Sequence, residues 1–143
     1  MRMNFNVQTK LNKEKLLEKA EQVLWLSMNK MQGLAKNYAP FDTGKLSTSI
    51  HLIPMSSGSR AYILTDGVDY GIHMEYGTRP HWMPADALKG WSRRVLGNEN
   101  LAYAVQKKIA REGVEAHPFF RPALDQVRNY WAPYYWKQVM VTS

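Results

Sequence analysis

Hydrophobic and polar positions recur along this chain in two different rhythms, and each rhythm predicts its own elements. From about Lys13 to Asn37 the apolar residues Leu17, Ala20, Leu24, Met28, Met31, Leu34 and Ala35, continued by Tyr38, follow one another at steps of three and four. That period lays one apolar stripe along an α-helix, with Lys13, Lys19, Glu21, Lys30 and Lys36 largely off it. Asn12 is the expected N-cap with Glu14 in the first turn, and Pro40 ends the helix. Glu14–Glu18 and Lys15–Lys19 set like charges four apart, and only Lys15–Glu18 opposes charges at three. Packing of the stripe, not pairing on the surface, must therefore hold this helix. Residues 1–11 read as an extended lead-in.

The rhythm shortens to two after a turn at Asp42-Thr43-Gly44. Between Leu46 and Ile53, Leu46, Thr48, Ile50 and Leu52 share one face and Ser47, Ser49 and His51 the other, which predicts a half-buried strand. Ser56-Ser57-Gly58-Ser59 is a turn cluster, and Arg60 to Thr65 returns as the second strand of a hairpin. Asp66-Gly67 marks another turn. Val68 to Tyr76 fits either a strand or a short helix interrupted by Gly71, before Gly77 and Pro80 break the chain. Pro84 to Leu96 reads as a helix with Ala87, Leu88, Trp91 and Val95 on one side. Leu101 to Arg111 reads as another, with Leu101, Ala104, Val105 and Ile109 aligned and Gly113 in the place of a C-terminal glycine. His117-Pro118 opens the last element, in which Phe120, Ala123, Leu124, Val127 and Trp131 form a stripe. Pro133 predicts a kink or a new helix. The sum is one domain over residues 1–143 of α+β class: a long N-terminal helix and C-terminal helices packed on a small antiparallel β-sheet.

Composition removes several kinds of chemistry. At 143 residues and 45% hydrophobic, the chain is long enough to bury a core without staples. It has no cysteine, which excludes disulfides, thiolate metal sites and cysteine nucleophiles. Met1 to Lys10 is polar with no apolar segment behind it, and no window approaches the roughly 20 apolar residues of a membrane span. A protein made in the cytoplasm, with no membrane partner, is expected. No G-x-S-x-G elbow, P-loop or H-E-x-x-H occurs. The nearest approach to a metal or hydrolytic set is His73, Glu75 and His81, but no histidine pair has helical ligand spacing. His81 and His117 are expected to orient turns beside their prolines, and Asp42 and Asp66 to bond their own turn backbone. No catalytic residue, cofactor or metal is expected.

Two surfaces are left with work to do. The net charge of +7 admits a polyanion, with Arg93, Arg94, Lys107 and Lys108 as the candidate DNA-facing residues. They are also simply the wet faces of two helices, and any DNA contact through them would be unspecific. The aromatic residues say more. Tyr130, Trp131, Tyr134, Tyr135 and Trp136 are too many for one helix face, so some must point away from the local core as a candidate interface. The polar hairpin tip at Ser56–Ser59 is a second candidate.

Three segments carry a further signature when taken in order. They are Ala39-Pro40-Phe41-Asp42-Thr43-Gly44-Lys45-Leu46 closing with Ser49-Ile50, then Tyr70-Gly71-Ile72-His73-Met74-Glu75-Tyr76-Gly77-Thr78, then His117-Pro118-Phe119-Phe120-Arg121-Pro122-Ala123-Leu124. Together they resemble the tail-component family of tailed bacteriophages, the one named after the tenth gene product of phage HK ninety-seven. The resemblance spans about residues 15–135. Gly71 stands where the family often has alanine, and residues 79–115 look like the longer helical insertion of some members. The resemblance implies a virion protein at the head–tail junction or tail end, made in the host bacterium. It implies a tail completion, neck or head–tail joining subunit that forms a ring around the DNA channel, commonly of six copies. Its partners would be itself, the head connector, and tail-tube or tail-terminator proteins.

The motif residues also have a physical reading of their own. Asp42 is expected to accept hydrogen bonds from the backbone N–H groups that follow it, with Thr43 and Gly44 turning the chain from helix to sheet. Glu75, followed by Gly77 and Thr78, makes a second reorientation or pairs with Arg121, because a buried carboxylate needs a partner. Pro118 and Pro122 stiffen the entry to the last helix, and Phe119 and Phe120 anchor it in the core or plug into a neighbouring subunit.

Overall fold

Residues 3–32 contain neither glycine nor proline, so nothing in them stops a helix once it has formed. In the computed structural model, which describes residues 3–57 and 60–142, helix α1 accordingly runs over Met3–Tyr38. It absorbs most of the expected extended lead-in, whose Met1 and Arg2 lie outside the described residues, and passes through the expected cap Asn12 without a break. Along its inner side Val23, Ser27 and Ala35 are buried, while Tyr38 at the end of the predicted stripe is half out in solvent.

The stretch expected as one strand from Leu46 to Ile53 divides in two. Gly44, left-handed at φ 78°, starts a short helix α2 (Lys45–Ser49), and strand β1 begins only at His51 (His51–Pro54). Leu46 and Ile50 are both buried, which is the four-residue step of a helical face; the alternation through Thr48 and Leu52 hid it. The Thr48 and Ser49 hydroxyls are satisfied within that turn by donating back to Gly44 O and Leu46 O. Strand β2 (Tyr62–Thr65) pairs with β1 antiparallel, His51 opposite Thr65 and Pro54 opposite Tyr62. Ser56 and Ser57 at the tip are exposed, whereas Gly58 and Ser59 lie outside the described residues. Trp25 and Tyr62 meet with ring centroids 5.6 Å apart, and Arg60 reaches Glu21 at 3.1 Å, so the hairpin lies against α1.

The ambiguous segment is a helix, α3 (Gly71–Tyr76). Gly71 is buried under Asp66, whose Oδ2 lies 1.6 Å from where a Cβ would stand. Helices α4 (Ala85–Leu96) and α5 (Ala102–Glu112), joined by a 3-10 turn at Glu99–Leu101, pair as a hairpin. They bury Leu88, Ala102 and Ile109 against Met83, Val105 and Val114. The buried faces sit to one side of those expected: Ala87, Leu101 and Ala104 are exposed, and Ala85, Ser92 and Gln106 are buried. Gln106 is tolerated inside because its amide donates to Met83 O at 2.8 Å.

The hairpin's two ends meet in a neck. Thr78 N donates to Val114 O at 2.9 Å, and Val114 N donates to Thr78 Oγ1 at 3.0 Å. Gly77 and Gly113 flank the crossing at φ 72° and 78°, and a Cβ on Gly113 would stand 2.0 Å from Thr78 O. The chain then enters α6 (Phe120–Gln126), a π-helical stretch (Val127–Trp131) and α7 (Ala132–Val141) in succession. Pro133 follows directly on the π-helical stretch in a continuous helical run, where Ala132 N donates five residues back to Val127 O, so the expected break is absorbed by a local widening of the helix. Leu124, expected in the apolar stripe, is 48% exposed, while Ala123 and Val127 are buried.

The architecture is α+β, mostly helical with one two-stranded antiparallel sheet and a long N-terminal helix. The main core joins Ala35 and Ala39 of the first helix region to Leu46, Ile50, Phe119 and Ala123. Small residues at 35, 39 and 123 admit the fully buried Phe119 ring, whose burial contributes about 1.5–3 kcal/mol. Two buried hydroxyls, Ser27 Oγ and Ser92 Oγ, have no hydrogen-bond partner among the described residues.

Two substitutions check this arrangement in urea denaturation. Gly113→Ala combines a steric overlap with a backbone conformation side chains avoid, and is expected to lose about 2–4 kcal/mol; a loss below about 0.5 kcal/mol would show the neck is not built as described. Ser92→Ala removes an unpartnered buried hydroxyl and is expected to leave stability unchanged or raise it by about 1 kcal/mol. A clear loss would mean that the hydroxyl has a partner.

Candidate functional site

Every helix begins with backbone N–H groups that its own ladder cannot satisfy. At the start of α6 those groups are satisfied from a distance by Glu75, 4% exposed, at the far end of α3. Its Oε2 accepts from Phe119 N at 2.7 Å and Phe120 N at 2.9 Å. Its Oε1 accepts from Arg121 N and from Arg121 Nε, both at 3.0 Å. The exchange is mutual. Glu75 O accepts from an Arg121 guanidinium N–H at 2.7 Å, and Met74 O accepts from His117 N at 2.7 Å. The C-terminal end of α3 and the N-terminal end of α6 therefore satisfy each other. The expected Glu75–Arg121 pairing is present, but three backbone amides share the carboxylate with it.

The electrostatics follow. Burial pushes the Glu75 carboxyl up, and the Phe119, Phe120 and Arg121 amides together with the guanidinium outweigh it, holding the group below the ordinary glutamate range. A folded value below the unfolded one contributes stability that is complete above the ordinary range and is lost as the pH falls through the lowered value. Arg121 also lies over the Tyr76 ring at 4.9 Å.

The other motif residues fall around this joint. Asp42 does not accept from the backbone that follows it. Its two oxygens take a bidentate guanidinium from Arg94 at 2.8 and 2.7 Å, because α4 brings that side chain across the turn. The Arg94 hydrogen bond leads in holding Asp42 below the ordinary aspartate range. Thr43 Oγ1 accepts from Lys45 N at 3.4 Å, the short local bond that Asp42 was expected to make. Thr78 Oγ1 serves the neck, with His81 Nδ1 at 3.3 Å. His81 Nδ1 lies 2.9 Å from Arg79 O and His117 Nδ1 3.0 Å from Glu115 O, so both rings sit on turns. Pro118 is exposed and Pro122 half-buried at the entry to α6, and Phe119 is fully buried with the Phe120 ring 4.5 Å away.

The candidate surfaces separate clearly. Tyr130, Tyr134 and Trp136 are 61%, 43% and 47% exposed, while Trp131 and Tyr135 are half-buried. Tyr130 and Tyr134 stack at 6.4 Å, and Trp131 meets both edge-on at 5.0 and 6.0 Å. Lys30 of α1 sits 3.8 Å above the Trp131 ring, which fixes the inner edge of this aromatic face. Of the candidate DNA-facing residues, Arg94 is engaged by Asp42 and Arg93 by Glu99. Lys107 and Lys108 are exposed on α5 with no ion-pair partner among the described residues.

Sequence reasoning missed several exposed apolar side chains. Phe41 and Trp82 are strongly exposed in loops, and Ile72 and Tyr76, four residues apart on α3, are exposed as well. Phe41 and Trp82 each sit beside prolines in a turn or loop, where an aromatic ring has no helix or strand face to bury it. That was the available signal. Glu75, His73 and His81 do not form a ligand set, and no group of three or more metal-ligating side chains occurs among the described residues. No helix among those residues is long and apolar enough to cross a membrane. Compared with family models, curated proteins and solved structures, the chain matches none of them.

Glu75→Gln turns an NH2 group toward N–H donors and is expected to lose about 2–4 kcal/mol in chemical denaturation. Arg121→Met removes a half-exposed partner and should lose less than half as much. Equal losses would make the ion pair, not the backbone cap, the principal interaction. Acid titration of stability should show wild type losing ground below the ordinary glutamate range while Glu75→Gln lacks that component; superimposable pH profiles would refute the assignment.

Proposed function

We propose that this chain is a structural virion protein of a tailed bacteriophage, a tail completion or head–tail joining subunit that assembles into a ring around the DNA channel. It acts by docking, not by turning over a substrate. The observation that carries the reading is the convergence of the three segments on which the resemblance rests. Ala39, Leu46 and Ile50 from the first and Phe119 and Ala123 from the third form the main core. Met74 of the second packs against that core, and Glu75 joins the second segment to the third. Motif residues thus build the frame, and the frame presents a stacked aromatic pair at Tyr130 and Tyr134, with Trp136 exposed separately farther along α7. Exposed Tyr and Trp of that kind suit a protein–protein contact.

In this reading the ring has six copies, and its neighbours are the head connector and the tail-tube or tail-terminator protein. The DNA-facing part rests on Lys107 and Lys108, since Arg93 and Arg94 hold acidic partners. The same two lysines favour a second reading, a small basic nucleic-acid-binding module.

Tyr130→Ser combined with Trp136→Ser discriminates. The pair should leave the melting temperature of the isolated chain within about 3 °C and abolish both ring formation, read by native mass spectrometry, and joining of heads to tails, read by electron microscopy. Normal joining by the double variant would overturn the proposal. Tight, steeply salt-dependent binding to duplex DNA by a chain that forms no ring would establish the second reading.

A further inference from the structure

The α4–α5 hairpin is fastened to the rest of the protein at two places. One is the neck, where Gly77-Thr78 crosses Gly113-Val114. The other is the bidentate pair between Asp42 and Arg94, the only ion pair joining hairpin and body among the described residues. Between them lies an open cleft of about 420 Å³, with Phe41, Leu46, Tyr70 and Met74 on the body side and Trp91 and Val95 on α4. Phe41 is 81% and Val95 47% exposed, so the two apolar walls are not closed on each other. The hairpin also has a core of its own in Leu88, Ala102 and Ile109 and does not depend on the cleft to hold its shape.

We propose that the hairpin is a hinged arm, turning at the two glycines of the neck and held against the body by Asp42–Arg94 as a latch. Gly77 and Gly113, at φ 72° and 78°, carry no side chain to restrain the backbone, and a rotation there carries the hydrogen-bonded Thr78–Val114 crossing as its pivot. The Arg94 and Asp42 side chains are 49% and 30% exposed, so salt or a competing charge can release them. Release widens the cleft and uncovers its apolar walls. The inference goes beyond the assembly role and concerns the isolated chain, so its test needs no partner and its failure is separate from a failure of that role.

The chain has no cysteine, so spin labels can be placed on Asn37→Cys and Ala104→Cys, both exposed, without background. Pulsed electron paramagnetic resonance then reads the distance from α1 to α5. At low salt the otherwise wild-type chain should give one narrow population. Asp42→Asn, or about 1 M salt, should raise a longer-distance population at least about threefold. Reversing the pair, with Asp42→Arg and Arg94→Asp together, should restore the narrow one. Arg94→Gln repeats the test from the other side should Asp42→Asn disturb the turn, with helix content by circular dichroism as the folding control. Distances that stay the same in Asp42→Asn, Arg94→Gln and high salt would overturn the latch, as would a wild-type distribution already as broad as the variants.

Discussion

A carboxylate almost wholly removed from water holds the start of the last helical run in place, and the rest of the fold depends on that contact. Desolvating a charge is unfavourable unless donors replace the lost water. Here three consecutive backbone amides and a guanidinium do so. The amides are the ones a helix start leaves unsatisfied, and a negative charge there also meets the positive end of the helix dipole. In the other direction, α3 has six residues and would not persist alone in water. His117 N and the Arg121 guanidinium cover its terminal carbonyls. Two weak helix ends thereby become one rigid joint, and Phe119, next to the joint, is driven into the core.

From that joint the remaining geometry follows. Residues 79–115 leave the body after Thr78 and return at Val114, a crossing so close that only glycine fits at 113. The hairpin can therefore carry its own small core and be tethered without interrupting the main one. The run α6 to α7 is directed back along α1, where Lys30 covers Trp131 and leaves Tyr130, Tyr134 and Trp136 to the solvent. A surface held by a buried frame in this way keeps its side chains in fixed relation, which lowers the entropy lost on docking.

Much of this was legible in the sequence, and the exceptions have physical causes. The helix of residues 13–37, the returning hairpin strand and the two middle helices follow from period and breakers, and the Glu75–Arg121 pairing, one of two roles expected of Glu75, from the need of a buried charge for a partner. The strand expected at Leu46–Ile53 holds only from His51, because a two-residue alternation of Leu46, Thr48 and Ile50 also contains the four-residue step of a helical turn, on which Leu46 and Ile50 are both buried. The lead-in failed because an absent breaker says more than a plausible cap at Asn12. The partner of Asp42 could not be read, since Arg94 lies 52 residues away and only the tertiary placement of α4 brings it there. Arg94 looked free for the same reason, whereas the partner of Arg93 is local, Glu99 in the turn that follows α4.

The central claim is that Glu75 is ionised and bound to the amides of Phe119, Phe120 and Arg121 in the folded protein. The most direct measurement follows the chemical shifts of those three amide protons by nuclear magnetic resonance as the solution is acidified. The account predicts that all three move together, through one transition lying below the ordinary glutamate range, and that their exchange with solvent is slow above it. Amides that do not respond to acid, or that exchange as fast as those of an open loop, would contradict it.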